Sequence, residues 1–159
     1  MTGHFSRIRD AALLQEVLGT LVRIIQDRDR DRASRYDLSA SQWHALQALV
    51  QEGPVTVTEL GDLLFLEKST ASRLAKGLLK RGLVRKRSPH SDGRVVILQL
   101  TEQGLRLARR ILNDLAEEYM DLLEVFEPEE RKVLPPLLGR LVQEISHHGQ
   151  AGKRLDPPE

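Results

Sequence analysis

Cysteine is absent from the 159 residues, which excludes disulfides, thiolate metal sites and any thiol-based redox switch. Long apolar runs are missing too. None approaches the roughly 18 residues that suggest a membrane span, and the start, Met1-Thr2-Gly3-His4-Phe5-Ser6-Arg7, lacks the apolar core of a signal peptide. The chain is therefore expected to be cytoplasmic, with no membrane partner. Aromatic residues make up only 4%; Trp43 and Tyr119 could line an aromatic-ligand cavity, but core positions are the expectation for both. The five histidines, His4, His44, His90, His147 and His148, show no metal-ligand spacing with a Cys or Glu partner. His44 is expected to be a partly buried packing residue. With no nucleophile elbow, phosphate loop or paired carboxylates, neither enzyme activity nor a cofactor is expected.

A charge excess of one sign is also lacking: the formal net charge is +1, less than phosphate attraction would call for. That balance hides a segregation. Between Glu67 and Arg94, nine basic residues (Lys68, Arg73, Lys76, Lys80, Arg81, Arg85, Lys86, Arg87 and Arg94) stand against Glu67 and Asp92, an excess of +7. Between Thr101 and Leu134, nine acidic residues stand against five basic ones, an excess of −4. One surface suits phosphate and another should face away from it.

What is present is helical periodicity. The length and 40% hydrophobic content suit one compact domain or a small domain with helical extensions. From about Phe5 to Arg32, Leu14, Val17, Leu18, Leu21 and Ile25 form a helical stripe. The alternating run Asp27-Arg28-Asp29-Arg30-Asp31-Arg32 at its end reads as a solvated helix face. Ser39 or Ser41 can cap a second helix carrying Trp43, Leu46 and Leu49-Val50, which Gly53-Pro54 terminates.

Thr56-x-x-Glu59 is a capping box, in which hydroxyl and carboxylate each satisfy an orphan N–H at a helix start. A short helix through Leu60, Leu63 and Leu64 follows. Lys68 to Arg81 then places Ala71, Leu74, Leu78 and Leu79 on one face and Ser69, Thr70, Ser72, Arg73 and Lys76 largely elsewhere. Ser and Thr let a helix approach closely, Arg offers a bidentate fork to guanine, and Lys68 and Lys76 offer point charges to phosphate. Gly82 stops this helix. Leu83-Val84 and Val95-Val96-Ile97-Leu98 read as two strands, with Arg85, Lys86 and Arg87 on the outgoing one. Asp92-Gly93 is the tight-turn dipeptide of the hairpin between them. His90 lies in that wing as a surface or phosphate-contacting imidazole, and Arg94, at or beside the tip, can reach into a minor groove. Helix, turn, helix and basic hairpin between Thr56 and Thr101 describe a winged helix-turn-helix.

After Thr101, Leu105, Ala108, Leu112, Leu115, Tyr119, Leu122 and Phe126 form a heptad-like seam. A second stripe runs through Val133, Leu134, Leu137, Leu138, Leu141, Val142 and Ile145. Pro135-Pro136 lies inside it and is expected to split the last helix. The stripes and the first helix offer more apolar surface than one small winged domain covers, which points to a two-fold dimer.

The ordered series Thr58-Glu59-Leu60, Ser69-Thr70-Ala71-Ser72-Arg73-Leu74, Arg81-Gly82-Leu83-Val84-Arg85, Asp92-x-Arg94 and Leu100-Thr101-x-x-Gly104 resembles the multiple-antibiotic-resistance regulator (MarR) family of bacterial winged-helix transcription factors. The resemblance covers nearly the whole chain. It implies that the arginine matching Arg94 contacts DNA, that the aspartate matching Asp92 helps hold the wing, and that the long flanking helices dimerise. Glu67 departs from the small capping residue often found at its position; its carboxylate complements the helix dipole but repels phosphate.

The expected fold class is mainly α with a small β-hairpin wing, a winged helix-turn-helix plus long helical dimerisation elements. Residues 39–101 would form the DNA-binding domain, 1–35 and 102–148 the dimerisation region, and 149–159 a disordered tail. The expected partners are double-stranded DNA, a second copy of the chain and a small aromatic or phenolic effector. The expected contacts to DNA are Lys68, Ser69, Thr70, Ser72, Arg73, Lys76, Arg87, His90 and Arg94. The function this supports is a homodimeric repressor on a roughly palindromic operator; the alternative is a protein-interaction or architectural module with no operator of its own.

Overall fold

The computed structural model describes residues 2–87 and 96–152. Its elements run α1 (Thr2–Arg35), α2 (Ala40–Gln51), β1 (Val55–Thr56), α3 (Val57–Leu63), α4 (Lys68–Lys80), β2 (Val84–Arg87), β3 (Ile97–Leu100), α5 (Glu102–Leu123) and α6 (Pro128–Gly152). The chain divides into two compact units, residues 1–112 and 113–159.

In the first unit, Trp43 and Leu46 of α2, Leu60 of α3, Leu78 of α4, Leu83, Leu98 of β3 and Ile111 of α5 are the largest fully buried side chains. Trp43 is thus a core residue, stacked at a tilt against Tyr36 with ring centroids 5.8 Å apart. The Arg110 guanidinium lies 5.9 Å from the Tyr36 ring centre. The second expected core aromatic is not buried: Tyr119 is 42% exposed.

Three helices in this unit end in the same way. At the end of α4 the Gly82 N–H donates to the Leu79 carbonyl and the Leu83 N–H to the Leu78 carbonyl, with Gly82 at φ 68°. This is the Schellman closure, whose pivotal residue must adopt the left-handed conformation. The same pair of bonds ends α1, with Asp37 at φ 56°, and α3, with Phe65 at φ 54°. Glycine takes that conformation freely and aspartate tolerates it, whereas a bulky residue there costs about 1–2 kcal/mol. Phe65 recovers none of this by packing, since it is 90% exposed.

The sheet has three strands in the order β1-β3-β2, all antiparallel. The sequence reading expects two strands. β1 has only two residues, Val55 and Thr56, paired with Leu98 and Ile97, too few to show alternation. Nor do the strand bounds fall at Leu83-Val84 and at Leu98; Val95, the expected start of the second strand, lies outside the described residues. Leu83 is held by the helix closure instead, while cross-strand partners carry β2 out to Arg87 and β3 to Leu100.

The charged run at the end of α1 is not uniformly solvated. Asp29 and Arg32 are 8% and 7% exposed, joined Oδ1 to Nη1 at 2.8 Å, and the other Asp29 oxygen lies 3.4 Å from Nε2 of the half-exposed His44. Helical period explains the split. Positions 29, 32 and 33 share the face turned to α2, whereas Arg30 and Asp27 pair in the open. The second unit brings a further correction. α6 runs unbroken through Pro135 and Pro136 to Gly152. The proline φ suits a helix, so what is lost is two N–H donors and ring clearance against the preceding turn. That turn is anchored. Glu127 N–H donates to the Glu130 carboxylate at 2.9 Å, and Arg131 donates to the Phe126 and Glu124 carbonyls at 2.8 and 3.1 Å. Residues 153–159 lie outside the described residues.

Thr101 and Gly104 join α4, the sheet and α5. The Thr101 N–H donates to the Leu83 carbonyl at 3.1 Å and its hydroxyl to the Gly82 carbonyl at 2.6 Å, while the Gly104 N–H donates to that hydroxyl at 3.1 Å. A Cβ on Gly104 would collide with the Leu83 carbonyl group, backbone that cannot swing aside. Gly104→Ala is expected to lower stability by about 1–3 kcal/mol, measured as a fall in denaturation midpoint at unchanged m-value.

Candidate nucleic-acid interface

The residues that could meet a nucleic acid are carried by α3, α4 and β2. The entry of α3 is fixed by the capping box: Glu59 N–H donates to Thr56 Oγ1 at 3.1 Å, and Thr56 N–H to Glu59 Oε2 at 2.7 Å. The Thr56 backbone N–H first, and the Thr56 side chain after it, hold the Glu59 carboxyl below its ordinary value. Because Thr56 also ends β1, the cap ties α3 directly to the sheet.

α4 divides along its length. Ala71, Leu74, Ala75 and Leu78 are buried, while Lys68, Ser69, Arg73, Lys76 and Lys80 are exposed and Thr70 and Ser72 half-buried. Residues 69, 73, 76 and 80 follow helical spacing down one face. The approach of α3 to α4 is close: a Cβ on Gly61 would sit 3.1 Å from that of Ala71. Arg73 Nη2 donates to Thr70 Oγ1 at 3.2 Å, so the guanidinium rests one turn back along its own helix. The α4 N-cap is Glu67, whose side chain makes no capping hydrogen bond.

The basic residues of β2 are dealt to opposite faces by strand alternation. Lys86 joins Lys68, Lys76, Ser72 and Thr58 around an open groove of about 520 Å³ between α4 and the sheet, floored by Val57, Ala75, Leu79 and Leu98. Arg85 and Arg87 line a separate cleft with Gln99, which the Lys86 side of the strand also borders; the Gln99 Oε1 accepts from Arg85 Nε and Nη2 at 3.3 and 3.0 Å. Sequence reasoning singled out Arg87 and passed over Lys86. Counting alternate residues from buried Val84 is the signal that separates them. Arg81 is engaged elsewhere, its guanidinium donating to the Asp37 carbonyl and lying 3.2 Å from the Asp37 carboxylate.

Of the expected contacts, Lys68, Ser69, Thr70, Ser72, Arg73 and Lys76 therefore share α4, and Arg87 ends β2 on the far face of the sheet from Lys86. His90, Asp92 and Arg94 lie outside the described residues. Among the described residues no group of three or more His, Asp or Glu could hold a metal, and no helix is long and apolar enough to cross a membrane.

A family model described as MarR family matches residues 36–95. The chain is 31% identical over 135 residues to the HTH-type transcriptional regulator PecS of Dickeya dadantii, covering 81% of each. Among solved structures, a MarR family protein from Bacillus stearothermophilus superposes with a TM-score of 0.77 at 29% identity, covering 87% of this chain and 96% of that one. A MarR family transcriptional regulator from Listeria monocytogenes, complexed with a 26mer DNA, has the same fold with a TM-score of 0.77 at 21% identity, covering 91% and 97%. An amphipathic helix with a Ser/Thr/Arg/Lys face beside a basic wing strand, together with these likenesses, places the chain in the MarR family of winged helix-turn-helix transcriptional regulators.

Proposed function

We propose that the chain binds double-stranded DNA sequence-specifically as a homodimer and represses transcription from a roughly palindromic operator. The observation that carries this reading is the division of α4 into a buried stripe and a face of short polar and basic residues. α4 would enter the major groove, its serines and threonines allowing close approach and Arg73 meeting a base edge. Lys68, Lys76 and Lys86 would neutralise phosphates beside it. Arg94 and Asp92 enter from sequence alone, as wing contact and wing support.

Dimerisation is supported by unpartnered apolar surface. Ile8, Leu13, Leu14, Val17, Leu21, Val22, Ile24 and Ile25 of α1 are exposed within the chain, as are Val133, Leu137, Leu138, Val142 and Ile145 of α6. Monomeric proteins rarely leave so much apolar surface on a helix face in water. Residues 1–35 and 102–148 would supply the interface, and two-fold symmetry would set the recognition helices about 34 Å apart, one DNA turn. A small aromatic or phenolic molecule would act as effector by binding better to a reader spacing unsuited to the operator.

Preference for the chain's own upstream intergenic DNA over random DNA in a mobility-shift titration is the deciding measurement; equal binding to both would favour an interaction or architectural module. Arg73→Ala is expected to cost about 1–3 kcal/mol and relax sequence preference if it reads a base; a loss uniform across sequences would make it a phosphate contact. Arg94→Ala should weaken binding with the dimer intact, and unchanged affinity at moderate salt would remove the wing from the mechanism. Solution mass at micromolar concentration should be that of a dimer, and a stable monomer would contradict the interface.

A further inference from the structure

Phe65 is the outlier among the left-handed helix closures of this chain. Asp37 and Gly82 hold the equivalent position after α1 and α4, and Gly53 also has positive φ after α2; each is a residue type suited to that backbone. After α3 the position is a phenylalanine whose ring is 90% exposed. Among the described residues neither the backbone conformation nor the exposed apolar ring is compensated. The neighbouring sequence indicates what meets it. Phe65 stands two residues before the α4 N-cap and three before Lys68, so it adjoins the end of the recognition helix whose first residues, Lys68 and Ser69, are exposed. Between them, the exposed Glu67 carboxylate makes no capping bond and would repel a phosphate. A turn that offers an apolar ring beside an acceptor-only anion is unsuited to the sugar-phosphate backbone. It matches a base edge in the major groove, where thymine alone presents a methyl group.

We propose that Phe65 is a specificity-determining residue, its ring packing on a thymine C5-methyl at the edge of the site read by α4. This rests on the DNA-reading function proposed above. The ring would add apolar discrimination to the hydrogen-bonding readout by Arg73, and a strained, exposed residue in the free protein would be covered only in the complex.

The test uses the full chain and a duplex that it enriches from a randomised pool. Each thymine in turn is replaced by deoxyuridine, which removes the methyl group and leaves the pairing edge intact. For the wild-type chain, deoxyuridine at one thymine of each half-site should raise Kd about fourfold, the value of one buried methyl. For Phe65→Gly, which suits the observed φ and should fold at least as stably, the same replacement should leave Kd unchanged. Phe65→Asn, a second residue tolerant of that backbone, should behave like the glycine variant. No deoxyuridine sensitivity in the wild type, or sensitivity that persists in both variants, would overturn the proposal while leaving the DNA-reading function standing. Failure of any duplex to enrich above the starting pool would sink that function, and this inference with it.

Discussion

The junction of Leu83, Thr101 and Gly104 is the constraint on which the rest of the first unit depends. Leu83 closes α4 and opens the wing; Thr101 closes the wing and, through its hydroxyl, opens α5. Three elements that would otherwise be joined only by flexible connections meet in one set of backbone hydrogen bonds. Only a residue without Cβ fits the closest approach, at Gly104. Position and tilt of the recognition helix are therefore set by the same contacts that set the base of the wing, as a two-part reader requires.

A second group of contacts reaches α4 and α2 from α1. Arg81 grips the carbonyl and carboxylate of Asp37 in the α1–α2 turn, and the buried Asp29–Arg32 pair, with His44 beside it, joins α1 to α2. Buried ion pairs add little net stability, because desolvation offsets much of the attraction, but breaking one leaves an uncompensated charge. Their value here is geometric. They tie α1, whose apolar face is exposed within the chain, to the elements that carry the reader. In the dimer proposed above, a change in how two copies meet along α1 would have a mechanical route to α4, the kind of two-state coupling an effector needs.

Much of the reader was legible in the sequence because its signals are local. The Thr56–Glu59 box, the stop at Gly82 and the apolar stripe of α4 each depend on residues within a turn or two of one another, and each is found where expected. The wing was legible only in outline. β1 is too short to register as a strand, and the bounds of β2 and β3 depend on partners some dozen residues away. Lys86 and Arg87 are equivalent in composition; alternation across the sheet puts one beside α4 and the other behind it.

The sequence by itself determined the order of elements, the segregation of charge, most helix ends and the family, since caps, periodicity and motif order act over short spans. Tertiary structure alone decided which members of a charged run are buried, that a two-residue strand completes the sheet, that two prolines are carried inside one helix, and that a phenylalanine occupies a left-handed turn with its ring in solvent. Each of these is settled by what a residue faces across space. A buried Asp29 and an exposed Asp31 differ only in the direction of their side chains, and that direction has meaning only once α2 is in place.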